Sequence, residues 1–560
     1  MRNILGKTGF VTVAFFASLF CVGLFYEYVS CIASVCLALW LLIEGVRKKR
    51  IVVRKNLTVL SVAVIVVFYG LSVFWATDSG MAFIGFVKYL PLLLFAMCFM
   101  QSEEKEVILT YMPYVAGVMM IISAILAQIP VLSKFFLVAG RLGGFFQYPN
   151  TFAMFLLVSE LLLITKKSIK LYDVGAMAVL LAGVVYTGSR TVFVIAILAN
   201  IAAILFTKTK RFIFYSILAV MGGGFVAVVY LIATDNTWIF ERLLNISFTE
   251  STFVGRILYW TDALPFILKH PLGTGYMGYY YTQSAFQTGV YSVAFIHNDF
   301  LQLMLDIGWL PTLLFVFVIF KKVFSKNTSR RDRIILLSLF IHSMFDFDLQ
   351  YLSMFFMYLL FLGLNEGKEM VFKTKVWASA TVSVVVSCVS LYMCTSLLLY
   401  KACKYESSYA MYPWNVNTET ALLTSSEDIE RSNEIAEKML KRNDDVLLGY
   451  CVKARYAYSQ GDFGALIQYK NKIFEVAPFQ YDEYEEYARM LINGIALYTE
   501  AGDTVSADYC KKELMGIPQK LDSLNGRLSK LGKLIKDQPK TELPDVLLQY
   551  IESLGGVSGE

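Results

Sequence analysis

Val46–Trp75 reads VRKKRIVVRKNLTVLSVAVIVVFYGLSVFW. Six of its first ten residues are Lys or Arg. After Asn56 come nineteen residues without a charge. A basic loop followed by an apolar run of bilayer length marks a transmembrane helix leaving the cytoplasmic side. The same alternation recurs over the first 400 residues. The whole chain has 560 residues, of which 57% are apolar and 17% charged, with a mean hydropathy of +0.57. A soluble domain carries about 25% charged residues. The composition therefore excludes a disordered chain, a coiled coil and an ordinary cytosolic enzyme.

The chain divides by charge. Residues 1–400 hold 31 Lys/Arg and 19 Asp/Glu, whereas residues 401–560 hold 19 and 25. The net charge of +6 thus sums a membrane part with basic loops and a mildly acidic soluble part, and no nucleic-acid partner is implied. Apolar runs fall near 9–26, 28–45, 57–75, 82–100, 107–127, 148–164, 171–187, 191–207, 212–233, 297–320, 334–348, 351–365 and 376–398. The predicted fold is all-α: a polytopic membrane helix bundle of about 12–13 spans over residues 1–398, followed by a soluble α-helical repeat domain over 399–560.

Sidedness follows from cations in short loops. The loops 46–55 and 321–333 hold six Lys/Arg each, and 165–170, 207–211 and 365–375 hold three each. With Arg2, Lys7 and Lys105 they make 24 of the 31. These alternate loops are assigned to the cytoplasm, which puts the N-terminus inside and residues 399–560 outside. The basic, apolar N-terminus lacks a small-x-small cleavage site, so an uncleaved first span is expected. Six of the nine Cys lie in or beside apolar runs, and Cys403, Cys451 and Cys510 are widely spaced without a CxxC. Neither a disulfide framework nor a zinc site is expected.

The outer side carries the chemistry-bearing residues: the loop 128–147, ending Arg141-Leu-Gly-Gly-Phe-Phe-Gln-Tyr-Pro-Asn150; the junction Thr187-Gly-Ser-Arg190; and the loop 234–296, which precedes His297-Asn298-Asp299. A loop of that length is usually functional or disordered, and this one is not of low complexity. Within it, 251–269 reads as an amphipathic helix with Phe253, Ile257, Trp260 and Leu264 on one stripe, suited to the membrane interface. Arg190 and Arg256 stand where outer loops are otherwise poor in cations. A guanidinium presents a planar fork of donors that matches phosphate oxygens and never loses its charge. The alternative is that each pairs with a carboxylate or snorkels to headgroups. His297 can accept a proton from a hydroxyl nucleophile; alternatively His297-Asn298-Asp299 only caps a helix. His342, in His-Ser-Met-Phe-Asp-Phe-Asp348, is an intramembrane ionisable group with either a functional or a packing role. His270, before Pro271, reads as structural.

These pieces, in this order, resemble the O-antigen ligase and polymerase superfamily over about residues 141–363: Arg141-Leu-Gly-Gly-Phe-Phe-Gln-Tyr-Pro-Asn150, Gly188-Ser-Arg190, Gly255-Arg256, His270-Pro-Leu-Gly-Thr-Gly275, and His297-Asn298-Asp-Phe-Leu301 with Gly308. The resemblance implies a glycosyltransferase that takes a polyprenyl-diphosphate-linked glycan at the outer leaflet. It implies diphosphate binding by Arg190 and Arg256, with Arg141 a further candidate, and activation of an acceptor hydroxyl by His297. Asn298, Asp299 and His342 would support the site. No cofactor and no metal is implied, and the chain has neither a GxxxxGKS loop nor a ligand cluster of metal spacing. The acceptor would be a glycan, lipid, wall polymer or protein, the setting a bacterial cytoplasmic membrane.

In the outer part, Ala454-Arg-Tyr-Ala-Tyr-Ser-Gln-Gly-Asp462, Ala465 and Ala477-Pro478 resemble one tetratricopeptide unit, with others near 421–443 and 484–503. Such helix pairs bury their faces only by stacking. This domain would bind an acceptor polymer or a partner protein, or simply cap the membrane part. The competing reading of the chain is a transporter or flippase. That would require paired intramembrane charges and two related halves, which are not evident. A receptor with a repeat ectodomain leaves the Arg and His positions unexplained.

Overall fold

The computed structural model describes residues 9–555 except 167, 206–209, 246, 248–249 and 374. The protein is three-quarters helical with almost no sheet. Its described residues form two compact units. The first draws on Met1–Leu71, Phe83–Ser247 and Phe295–Leu398, the second on Ser72–Ala82, Phe248–Ala294 and Leu399–Glu560.

In the first unit each expected apolar run contains helix, but the lengths differ from the expectation. Among the described residues, five helices are long and apolar enough to cross a membrane alone: Glu27–Lys48, Ser79–Met100, Lys105–Leu126, Ile213–Ala233 and Val376–Lys401. Others are shorter. The first run stops at Phe20, because the chain turns through Val22, Gly23 and Leu24, all at positive φ. The run expected at 297–320 is broken at Gly308 (φ 84°) into Asp299–Ile307 and Trp309–Phe324. Pro149–Ile164 and Leu352–Phe361 are buried at every residue. A helix apolar all round and buried all round is enclosed by other helices. These two are the centre of the unit.

Two loops that the cation count assigns to one side of the membrane meet directly. Arg50–Lys55 and Lys368–Lys373 pair as antiparallel strands in the register Arg50↔Lys373 to Lys55↔Lys368. The Arg54–Glu369 ion pair (2.6 Å) offsets part of their like charge.

The second unit is a run of helices: Ile429–Arg442, Leu447–Ser459, Phe463–Val476, Tyr481–Glu500 and Thr504–Asp522, each packed against the next. Asp428, Asp462 and Asp503 cap three of them by accepting from the backbone N–H of Arg431, Ala465 and Ser506. Such caps satisfy donors that a helix start leaves without partners. The shared core includes Ala454, Leu466, Ile473, Tyr487, Leu491, Leu514 and Ile517. The unit also takes in loop residues from the membrane part of the sequence. Ser251–Lys269 is a helix, as expected, but it packs through Val254 and Leu258 against Ile535 and Leu531. The face packed within the protein is therefore 254/258, and the stripe 253/257/260/264 expected at the membrane interface lies outside that cluster. Asp262 accepts from the Thr288 N–H (2.8 Å), the Thr288 hydroxyl (2.7 Å) and the Tyr291 hydroxyl (3.0 Å). Gly289 and Gly532 lie so close that a Cβ on Gly532 would stand 2.0 Å from the Thr288 carbonyl oxygen.

Lys470, in this core, is fully buried, 0% exposed, and meets Glu483 at 2.7 Å and Glu486 at 2.6 Å. Burial by itself raises the Glu486 carboxyl, but Lys470 and Arg455 outweigh it and hold the group below its ordinary value. Glu486 therefore adds stability at neutral pH that is lost as the pH falls through its lowered folded value. Removing one partner of a buried pair strands the other, at a cost of about 3–5 kcal/mol. Lys470→Met is expected to lose stability of that order, read as earlier labelling of the buried thiols Cys451 and Cys510 during heating. Unchanged labelling would show that the pair contributes nothing.

Candidate active site

The motif Arg141–Asn150 is a piece of geometry that delivers two side chains to one carboxylate. Leu137–Val138 pairs with Arg141–Leu142 across Ala139–Gly140, both at positive φ, as a two-residue hairpin turn of the favoured twist demands. Gly144 (φ 56°) follows, where a Cβ would lie 2.5 Å from the Phe152 ring. Only glycine fits both the conformation and the space. Pro149 then opens the central helix as its first residue, where its missing N–H costs nothing. Tyr148 and Asn150 flank it and face Asp346.

Asp346 is fully buried. Its Oδ1 accepts from the Tyr148 hydroxyl (2.8 Å) and its Oδ2 from the Asn150 amide (2.6 Å). The Asn150 carbonyl oxygen in turn accepts from Arg141 Nη2 (2.6 Å). His297 Nδ1 stands 3.5 Å from Asp346 Oδ1, an ion-pair distance outside hydrogen-bond geometry. The His297 ring meets Phe347 edge-on, its centroid 5.0 Å away. His297 has φ 54°, a conformation that costs energy for a residue with a Cβ. The next residue, Asn298, is the cap of Asp299–Ile307, accepting from Phe300 N and Leu301 N at 3.1 and 3.0 Å and donating to Met344 O at 3.0 Å. Asp299 accepts from Leu349 N (2.9 Å). The capping role weighed for this triplet belongs to Asn298. Asn298 and Asp299 tie the helix start to the segment 344–349 that bears Asp346. His342 is buried and paired with Asp348, which also takes the Thr151 hydroxyl at 2.7 Å. That contact locks the central helix to its neighbour.

Three arginines converge on the turn 187–190. Arg141 Nε donates to Thr187 O (2.8 Å) and Arg242 Nε to Gly188 O (3.2 Å). Arg190 opens the next helix, and its Nη1 reaches Asn245 O at 3.4 Å. A Cβ on Gly188 (φ 59°) would stand 3.5 Å from both Arg141 Nε and Arg242 Cδ, so glycine leaves the room in which these side chains flank the turn. The first unit thus joins Arg141 to His297 through Asn150 and Asp346, and to Arg190 and Arg242 through one turn. Arg256 lies half-buried on Ser251–Lys269, in the second unit. His270 Nδ1 lies 2.8 Å from Phe266 O, a local structural contact as expected. Asp346, Tyr148 and Arg242 received no role from the sequence.

The fold and these groups define a membrane-embedded helical protein with a histidine–carboxylate pair and clustered guanidinium groups. Residues 175–316 match the family model for O-antigen ligase. The match supports the O-antigen ligase superfamily and a membrane-bound glycosyl-transferring function in general. It takes in Arg190, Arg242, Arg256 and His297–Asp299, and leaves out Arg141, His342, Asp346 and all of 401–560. No curated protein and no solved structure matches the chain.

Asn150→Leu keeps the branched side-chain shape and removes the hydrogen bonds to Arg141, Asp346 and the Tyr148 hydroxyl. Each buried polar group left without its partner costs about 1–3 kcal/mol. The purified variant is expected to melt several degrees below wild type, whereas an unchanged melting temperature would show that the network is not formed.

Proposed function

We propose that the protein transfers or polymerises a polyprenyl-diphosphate-linked glycan onto an acceptor hydroxyl at the outer face of a bacterial cytoplasmic membrane, in cell-surface polysaccharide synthesis. The observation that carries this reading is the His297–Asp346 pair, 3.5 Å apart and hydrogen-bonded through Asn150 to Arg141. The family match over 175–316 supports it.

The chemistry follows from those groups. Asp346, held by Tyr148 and Asn150 beside Nδ1 of His297, stabilises the imidazolium that forms when Nε2 takes the acceptor's proton. The acceptor oxygen bonds to the anomeric carbon as the bond from that carbon to the diphosphate oxygen breaks. The electron pair leaves with the polyprenyl diphosphate, and Arg190 and Arg141 balance the charge that grows there. Attack opposite the leaving group inverts the anomeric centre. The guanidinium groups do the work a divalent cation does at other diphosphates, so no metal enters. The N-terminus is cytoplasmic, and residues 399–560, a tetratricopeptide-like domain, lie outside.

A strain lacking the protein is expected to lose or shorten one surface glycan and to accumulate its lipid-linked precursor. Normal glycan without accumulation refutes the reading. In membranes carrying donor and acceptor, His297→Ala is expected to reduce transfer by about 10²-fold or more, the usual share of a general base, with donor binding retained. Wild-type product from that variant defeats the base assignment. Arg256→Lys is expected to lower transfer as well, since an ammonium cannot reproduce the bidentate fork, and chelation by EDTA to leave it unchanged.

A further inference from the structure

The second unit contains a cavity of about 670 Å³ whose walls include Tyr409, Trp414, Glu419, Lys438, Lys441 and Arg442. That volume is in the range of small-molecule sites, about 300–1,000 Å³. We propose that this cavity binds a short stretch of saccharide, with the indole of Trp414 as the platform. The inference rests on the glycan-transfer reading and assigns the outer unit a glycan subsite of its own.

Trp414 combines an exposed ring with a fixed backbone. Its ring is 57% exposed. Its carbonyl oxygen would lie 2.1 Å from a Cβ on Gly80, so this approach exists only because residue 80 is glycine. Tyr412, two residues earlier, is buried and donates its hydroxyl to Gly80 O (2.8 Å). Asn415, the next residue, is buried and caps Val416–Ser425 by accepting from Asn417 N (3.1 Å). The Tyr412 ring stands edge-on to the indole, 5.7 Å between centroids. Folding normally hides a ring held this firmly. Here it is held firmly and left open, which is what an aromatic wall needs to bind without an ordering cost.

The polar lining selects among ligands. Arg442 is not available as a free cation, since its Nε meets Asp78 (3.0 Å) and its Nη1 meets Glu419 (3.2 Å). Burial raises the Glu419 carboxyl, against the pull of Arg442. Lys441 shares its charge with Glu437 at 2.8 Å. Walls that carry carboxylate and ammonium groups side by side suit a ligand rich in hydroxyls, which both donate and accept. They do not suit a bare phosphate, which a carboxylate would repel. One face of a pyranose presents C–H groups to an aromatic ring, while its edges present hydroxyls to such walls. An interfacial tryptophan anchor needs no concavity and no carboxylate.

The test uses the full chain in nanodiscs and oligosaccharides cut from the purified surface polysaccharide of the parent cells. Binding to wild type is expected by saturation-transfer NMR and calorimetry, Trp414→Ala to weaken it by roughly tenfold, and Trp414→Phe to retain most of it. His297→Ala is expected to bind like wild type while failing in transfer, so loss of transfer and loss of binding at Trp414 are separate readouts. Absence of binding to wild type, or equal binding to Trp414→Ala, overturns the proposal. So does quenching of Trp414 fluorescence by brominated lipid, read as the difference from Trp414→Phe, because the ring would then lie among headgroups.

Discussion

A buried carboxylate must be satisfied by the groups around it, and in this protein the demands of Asp346 gather the site. A charge out of water is tolerated only with partners in good geometry. Asp346 finds them in Tyr148 and Asn150, nearly 200 positions away in the chain, and has His297 beside it. Tyr148 and Asn150 arrive together at a proline-started helix, and His297 arrives at a left-handed residue before a capped helix. Loss of either arrangement leaves a polar group stranded in an apolar surrounding. The residues of the site are therefore also residues that fix the packing.

The bilayer sets the second constraint. Without water, a backbone N–H or C=O must bond internally, and irregular chain survives only where protein covers it or a cavity admits solvent. The first unit keeps its irregular pieces at helix junctions: Val22–Leu24, the hairpin at 137–142, the turn at 187–190, the left-handed His297 and Gly308. Three of these bear Arg141, Arg190 and His297. The breaks in the helices are thus the places where cations and an imidazole can be presented, and the uninterrupted helices around them supply the fixed frame.

Much of this was legible in the chain. Apolar length marked where helices lie, because burial and lipid both reward the same side chains. The motif from Arg141 to Asn150 was visible as a unit, and so were His297, Arg190 and Arg256 as unusual residues for an outer face. Helix ends were less legible. Gly308 and the turn at 22–24 break apolar runs without any polar signal, since the chain changes direction there by backbone conformation alone. Asp346 gave no signal of its own: one acid in Met-Phe-Asp-Phe-Asp looks like the end of a helix until Tyr148 and Asn150 are known to reach it. The face of 251–269 that packs within the protein was hidden for a related reason. The helix has apolar residues on two sides, and only the distant Leu531 and Ile535 decide which side is covered.

Asp78 shows how the same contacts bear on topology. It sits between two apolar runs, in a short stretch without cations, and its carboxylate meets Arg442 (3.0 Å), far along the chain at the end of the helix Ile429–Arg442. Thr77 N donates to Thr274 O (2.9 Å) and Trp75 Nε1 to Leu272 O (3.1 Å). Residues 72–82, 248–294 and 399–560 pack within one unit, and the threading expected from hydropathy and cation counts places all three on one side of the membrane. An even number of crossings must then separate each from the next. The paired strands at 50–55 and 368–373 impose the same parity on the basic loops. Counting spans by hydropathy and sides by Lys and Arg gives that parity without any knowledge of these contacts. The threading expected from headgroup electrostatics thus leaves these packed segments able to meet. A single span added or removed between any two of these segments would break hydrogen bonds and an ion pair that the folded chain makes.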